Sequence, residues 1–121
     1  MRGALRFAVV ALSLATFQMS DATAQSAMVY RHCVLSKSPY GNPSFYSAVF
    51  RVRTDTITNG IENDFASYVA ARHDPDAISG AICFGPFETY QEADNSRNEI
   101  MARDRRNGKN IVSTLWAHRG N

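Results

Sequence analysis

Hydrophobic and polar positions along the chain alternate in two different periods. Residues 28–35 (MVYRHCVL) are rich in β-branched and aromatic side chains and predict a strand. A run dense in turn formers follows at 36–43 (SKSPYGNP) and predicts a loop. Residues 44–53 (SFYSAVFRVR) alternate, with Tyr46, Ala48, Phe50 and Val52 on one face and Phe45, Ser47, Val49 and Arg51 on the other. These two segments predict a long hairpin. Asn59 is placed to cap the next element with Glu62 as its reciprocal partner, and Ile61, Phe65, Tyr68, Val69 and Arg72 recur at helical spacing. The helix is expected to stop near His73, because Pro75 pushes Asp74 away from helical geometry.

The second half reads in the same way. Residues 78–84 (ISGAICF) predict a short strand ended by Gly85-Pro86. Thr89-Tyr90-Gln91-Glu92 is a capping-box pattern opening a helix to about Asn107, with Gly108 as its stop and Tyr90, Ala93, Arg97, Ile100 and Met101 on its inner stripe. Residues 110–117 (NIVSTLWA) predict the last strand. The order is strand, strand, helix, strand, helix, strand. It predicts a two-layer α/β sandwich, an α+β fold in which both helices pack on one face of a four-stranded sheet. The strand-helix-strand unit over 78–117 is expected to form a right-handed parallel crossover.

Ahead of this pattern, residues 1–24 read as a secretory signal. Arg2 and Arg6 supply a positive start, residues 7–17 (FAVVALSLATF) an apolar run, and Ala22-Thr23-Ala24 a small-x-small cleavage pattern before Gln25. The apolar run is shorter than the roughly 20 residues that a membrane span needs. The mature protein is therefore expected to be a single domain over 25–121, periplasmic or secreted and monomeric. A chain of 121 residues excludes a TIM barrel, a full nucleotide-binding α/β fold and any repeat array.

Cys33 and Cys83 are the only two cysteines, and in an oxidising compartment they predict one disulfide. They stand too far apart for a redox Cys-x-x-Cys pair. A formal net charge of +2 gives no basic excess for nucleic acid. The basic cluster Arg103, Arg105, Arg106 and Lys109 falls at a helix end, where the dipole favours cations.

The stretch Cys83-Phe84-Gly85-Pro86-Phe87-Glu88-Thr89, followed by Glu92-Ala93, resembles the second half of a SPOR domain, the small α/β module that binds denuded peptidoglycan glycan strands. That half carries a strand ending in Gly-Pro-Phe and then a helix opening with an acidic residue and alanine. The resemblance implies a glycan partner. In the first half SPOR domains run strand-helix-strand, whereas the pattern here gives a hairpin before the helix. The wider pattern is similar to small exported bacterial proteins of no assigned chemistry. It comprises the Cys33 strand, an aromatic strand through Val49-Phe50, Phe65 and Tyr68 on a helix, Cys83, and Thr114-Leu115-Trp116.

Candidate chemistry is sparse. His32, His73 and His118 show no His-x-His or His-x3-His spacing, so no metal or cofactor is expected, and His73 is placed to cap helix carbonyls. There is no Gly-x-Ser-x-Gly elbow. The acid pairs Glu62/Asp64, Asp74/Asp76 and Glu88/Glu92 fall on helix starts and turns, where they complement the dipole or face water.

Two features stand out. Arg97 interrupts an apolar stripe, either covering apolar surface with its stem while the head reaches water, or pairing with an acid such as Glu62 or Asp64, or offering its guanidinium to a ligand carboxylate or phosphate. Aromatic side chains also concentrate on the strands. With both helices on one face, Phe45 and Val49, joined by Trp116 or Leu115, make an exposed platform on the other, unless they fill the core or lie under the 36–43 loop.

The sequence therefore points to a non-enzymatic binding module of the cell envelope. Its expected contacts are Phe45, Trp116, Arg97 and Tyr40, and its expected partner is an envelope protein or a peptidoglycan glycan. The alternatives are an inhibitor or regulatory subunit of a secreted enzyme, with Tyr40 at the contact, and a small carboxylate hydrolase.

Overall fold

The computed structural model describes residues 27–36, 42–77 and 80–119. The expected export signal, Tyr40 with most of its loop, and the start of the strand expected from residue 78 lie outside them. The elements are β1 (Met28–Ser36), β2 (Ser44–Tyr46), β3 (Phe50–Arg53), α1 (Thr58–Arg72), β4 (Ile82–Phe87), α2 (Tyr90–Arg106) and β5 (Ile111–Ser113). They form a mixed α+β fold around one five-stranded sheet. Among the described residues no helix is long and apolar enough to cross a membrane.

β2 and β3 are the two halves of the expected second strand. Val34 pairs with Tyr46 and Arg31 with Phe50, so His32 and Cys33 face the three residues 47–49. One residue is extra, which makes a β-bulge. Ser47 fills the gap in the ladder. Its backbone N–H donates to the Cys33 carbonyl at 2.9 Å, and its Oγ accepts from the Cys33 N–H at 2.8 Å.

β4 pairs antiparallel with β1 on the other side, and β5 pairs parallel with β2. β4 and β5 thus run in the same direction, at opposite edges of the sheet. β4 continues to Phe87 through Gly85-Pro86 rather than ending there. Proline is tolerated because this strand is an edge. Gly85 has φ +125°, and a Cβ there would stand 2.9 Å from the Tyr30 carbonyl oxygen, so the close approach to β1 requires glycine.

The helices cover opposite faces of the sheet, which corrects the expected two-layer arrangement. Cys33, Leu35 and Phe45 pack in one cluster with Ile61, Phe65 and Val69 of α1. Their chain neighbours Val34 and Tyr46 pack in another with Met101 of α2. Successive side chains of a strand point to opposite faces, so each helix has its own. The signal in the sequence is the apolar run Cys33-Val34-Leu35 of β1, all of it buried in the fold. A strand apolar at both parities needs a cover on each side.

Both ends of α2 follow the sequence. Thr89 and Glu92 form a reciprocal capping box, and Gly108 takes φ +81° just past the last turn. α1 begins differently, with Ile57 at the cap position and no side-chain cap bond. Glu62 is drawn elsewhere: its Oε2 accepts from the Cys83 N–H at 2.9 Å. The disulfide joins Cys33 to Cys83 at directly opposed positions of β1 and β4. Cys33 spends both backbone groups on Ser47, so the cysteines form a non-hydrogen-bonded pair, the kind whose side chains lie closest. The outward N–H of Cys83 is the group that Glu62 satisfies.

Candidate functional site

The first candidate, Arg97, is a structural clamp. Its Nε donates to the Ser47 carbonyl at 2.7 Å and its Nη2 to Ser113 Oγ at 2.9 Å. Its guanidinium carbon stands 6.0 Å from the centre of the Tyr46 ring. The group thus ties α2 to the bulge and to β5. Pairing with Glu62 or Asp64 does not occur, because α1 lies across the sheet. Beside it the Tyr46 hydroxyl donates to Asp104 Oδ2, both residues being buried. Burial first, and then this bond to Asp104, push the phenol above its ordinary pKa. Tyr46→Phe strands a buried carboxylate oxygen and is expected to cost about 1–3 kcal/mol in urea unfolding.

The expected aromatic platform is absent. Phe45 is 3% exposed and lies in the core beneath α1, so it offers no surface. Trp116 is half-buried, with ring centres 5.1 Å from Phe65, 5.7 Å from Phe50 and 6.4 Å from Tyr68. Tyr40 falls outside the described residues.

The structure instead brings together a groove that the sequence did not reveal, between α1 and the segment after β5. Thr114 is buried, and both its N–H and its Oγ1 donate to the Tyr46 carbonyl at 2.9 Å. The same Oγ1 accepts from the Trp116 N–H at 3.2 Å, and the Trp116 carbonyl accepts from Ala48 N–H at 2.8 Å. Pinned on both sides, Leu115 takes φ +63°. A bulky side chain rarely adopts this region, which costs it about 1–2 kcal/mol. The turn throws the leucine outward.

An open hollow of about 680 Å³ lies beside it, lined among others by Asp64, Tyr68, Leu115, Trp116, His118 and Arg119. A second, of about 420 Å³, shares Asp64 and His118 and reaches Arg53, Asp55 and Ile57. Leu115 and Ile57, 79% and 76% exposed, are the most exposed large hydrophobic residues among those described, and each lines one of these two hollows. His118 Nε2 is closed off from solvent with no hydrogen-bond partner, its ring against Phe50 and Trp116. Leu115→Asn keeps the backbone turn, since asparagine tolerates φ > 0. It is expected to hold or raise stability, by up to about 1 kcal/mol, in thermal unfolding.

The acid pair Glu62/Asp64 is divided between two surroundings. Glu62 is engaged with the Cys83 N–H while Asp64 lines the groove. Asp74 Oδ1 accepts from the Asp76 N–H at 3.0 Å in a local turn, and Glu92 closes the capping box.

No protein-family model, curated protein or solved structure matches this chain. The likeness to SPOR domains therefore rests on its few residues alone.

Proposed function

We propose that this protein is an exported, non-enzymatic module that docks onto a protein of the cell envelope through the groove between α1 and residues 114–119. The observation that carries the reading is Leu115, held in a strained turn and exposed at the lip of a groove floored by Tyr68 and Trp116. Strained backbone persists where the surroundings over-determine it, and such sites are enriched in binding function. Exposed apolar side chains at both hollows, with Asp64 and Arg119 beside them, match the apolar centre and charged rim of a protein interface. A sugar chain is favoured less, because stacking needs a free aromatic face. Trp116 already packs against Phe50, Phe65 and Tyr68. Export rests on the pattern of residues 1–24, and the disulfide agrees with an oxidising compartment.

The test compares the disulfide-bonded protein and its Leu115→Asn variant as baits in envelope extract. The expected result is one protein recovered in stoichiometric amount by the parent and at least about ten-fold less by the variant, as for a buried apolar anchor. Recovery of peptidoglycan fragments, equal for both baits, overturns the reading in favour of the glycan.

A further inference from the structure

The face of the sheet beneath α2 holds a buried titratable group that the proposed docking groove does not use. His32 is fully buried in the middle of β1. Its imidazole stacks on Phe84 at 5.2 Å and on Phe87 at 5.9 Å, both from the edge strand β4. Nε2 meets Ser96 Oγ of α2 at 3.0 Å, whereas Nδ1 is shut away from solvent with no partner. A bare lone pair is cheaper to bury than an unpaired N–H, so the neutral ring carries its proton on Nε2 and donates to Ser96. A second proton would create an N–H at Nδ1 with nothing to accept it.

The charged groups that reach the ring both come from α2: Arg97 opposes the added charge and Asp94 favours it. β4 presents only the two phenyl rings to it, and α1 lies on the other side of the sheet. We propose that His32 makes the docking of α2 onto the sheet an acid-sensitive latch, which protonation from solvent at Nδ1 releases while the α1 face, containing the Cys33–Cys83 disulfide, stays packed.

Burial first, and the neighbouring Arg97 charge second, lower the pKa of the closed-state imidazole from 6.5 to about 4. In an opened state the ring regains its ordinary value, so the open form binds the proton first as pH falls. The latch is therefore fully effective above about pH 6.5, weakens steadily toward pH 4 and levels off below. The opening equilibrium of α2 should rise about thirty-fold between pH 7.5 and pH 5.

Hydrogen exchange of the disulfide-bonded protein tests this, with rates corrected for intrinsic exchange. The expected result is that α2 amides lose protection about thirty-fold over that range while α1 amides do not. In His32→Gln, whose amide still donates to Ser96 but does not titrate, the difference should vanish. Equal loss in both helices, no loss at all, or the same loss in the variant overturns the proposal. If the variant does not fold, ring-proton NMR of the parent decides. The His32 ring protons should keep their neutral-form shifts well below pH 6.5, the ordinary value for a histidine. Protonation of His32 near pH 6.5 without loosening of α2 contradicts the latch.

Discussion

Replacing both cysteines by alanine is expected to cost about 4 kcal/mol, lowering the melting temperature by roughly 20 °C. The bridge closes a loop with a sequence separation of 50, and the entropy it removes from the unfolded chain gives that figure. The bond also ties β4, which among the described residues pairs only with β1, to the centre of the sheet. Small domains are commonly stable by only about 5–15 kcal/mol, so the loss is a large share. Thermal and urea unfolding of the double variant provide the check. A loss under about 1 kcal/mol would show that β4 holds its place through hydrogen bonds and the Cys83–Glu62 contact alone.

Arg97→Met is expected to cost roughly 2–4 kcal/mol, although methionine matches the apolar part of the stem. The substitution strands the Ser47 carbonyl at the bulge and frees Ser113, so α2 loses its tie to β5. It also removes the cation beside the Tyr46 ring. Arg97→Lys should recover only part of the loss, since an ammonium is a point charge and the clamp uses a fork. The two variants are compared by urea midpoint. Parental stability for Arg97→Met would return the guanidinium to the list of groups available to a ligand.

What the sequence disclosed was local. The Thr89–Glu92 box and Gly108 delimit α2 because capping is satisfied within a few residues. The Cys33–Cys83 bond follows from a count of two. What it concealed was tertiary. Glu62 reads as a capping partner by spacing, yet the unpaired N–H of Cys83 outcompetes the local cap. Gly85-Pro86 reads as a strand end, yet an edge strand carries it across the pairing with Tyr30.

The placement of the helices is legible in β1, whose apolar Cys33, Val34 and Leu35 fall at both parities and demand a cover on each face. With α1 on its own face, Phe45 belongs to the core and not to an exposed platform. The bulge at 47–49 has a weaker trace, the small Ser47 and Ala48 between Phe45-Tyr46 and Val49-Phe50, and only the fold reveals that Arg97 answers it. The Leu115 groove had no sequence signal beyond a leucine among residues read as a strand. Its turn is imposed by Thr114 and Trp116 bonding back to the bulged strand.

The deciding question is which surface of the protein meets its partner. A photo-crosslinking side chain placed at Leu115, and in a second sample at the exposed Arg105 on α2, gives the most direct reading when each protein is illuminated in envelope extract. The account predicts one discrete protein adduct from position 115 and none from position 105. An adduct from 105 alone, or silence at 115 while the protein still co-purifies with its partner, would contradict it.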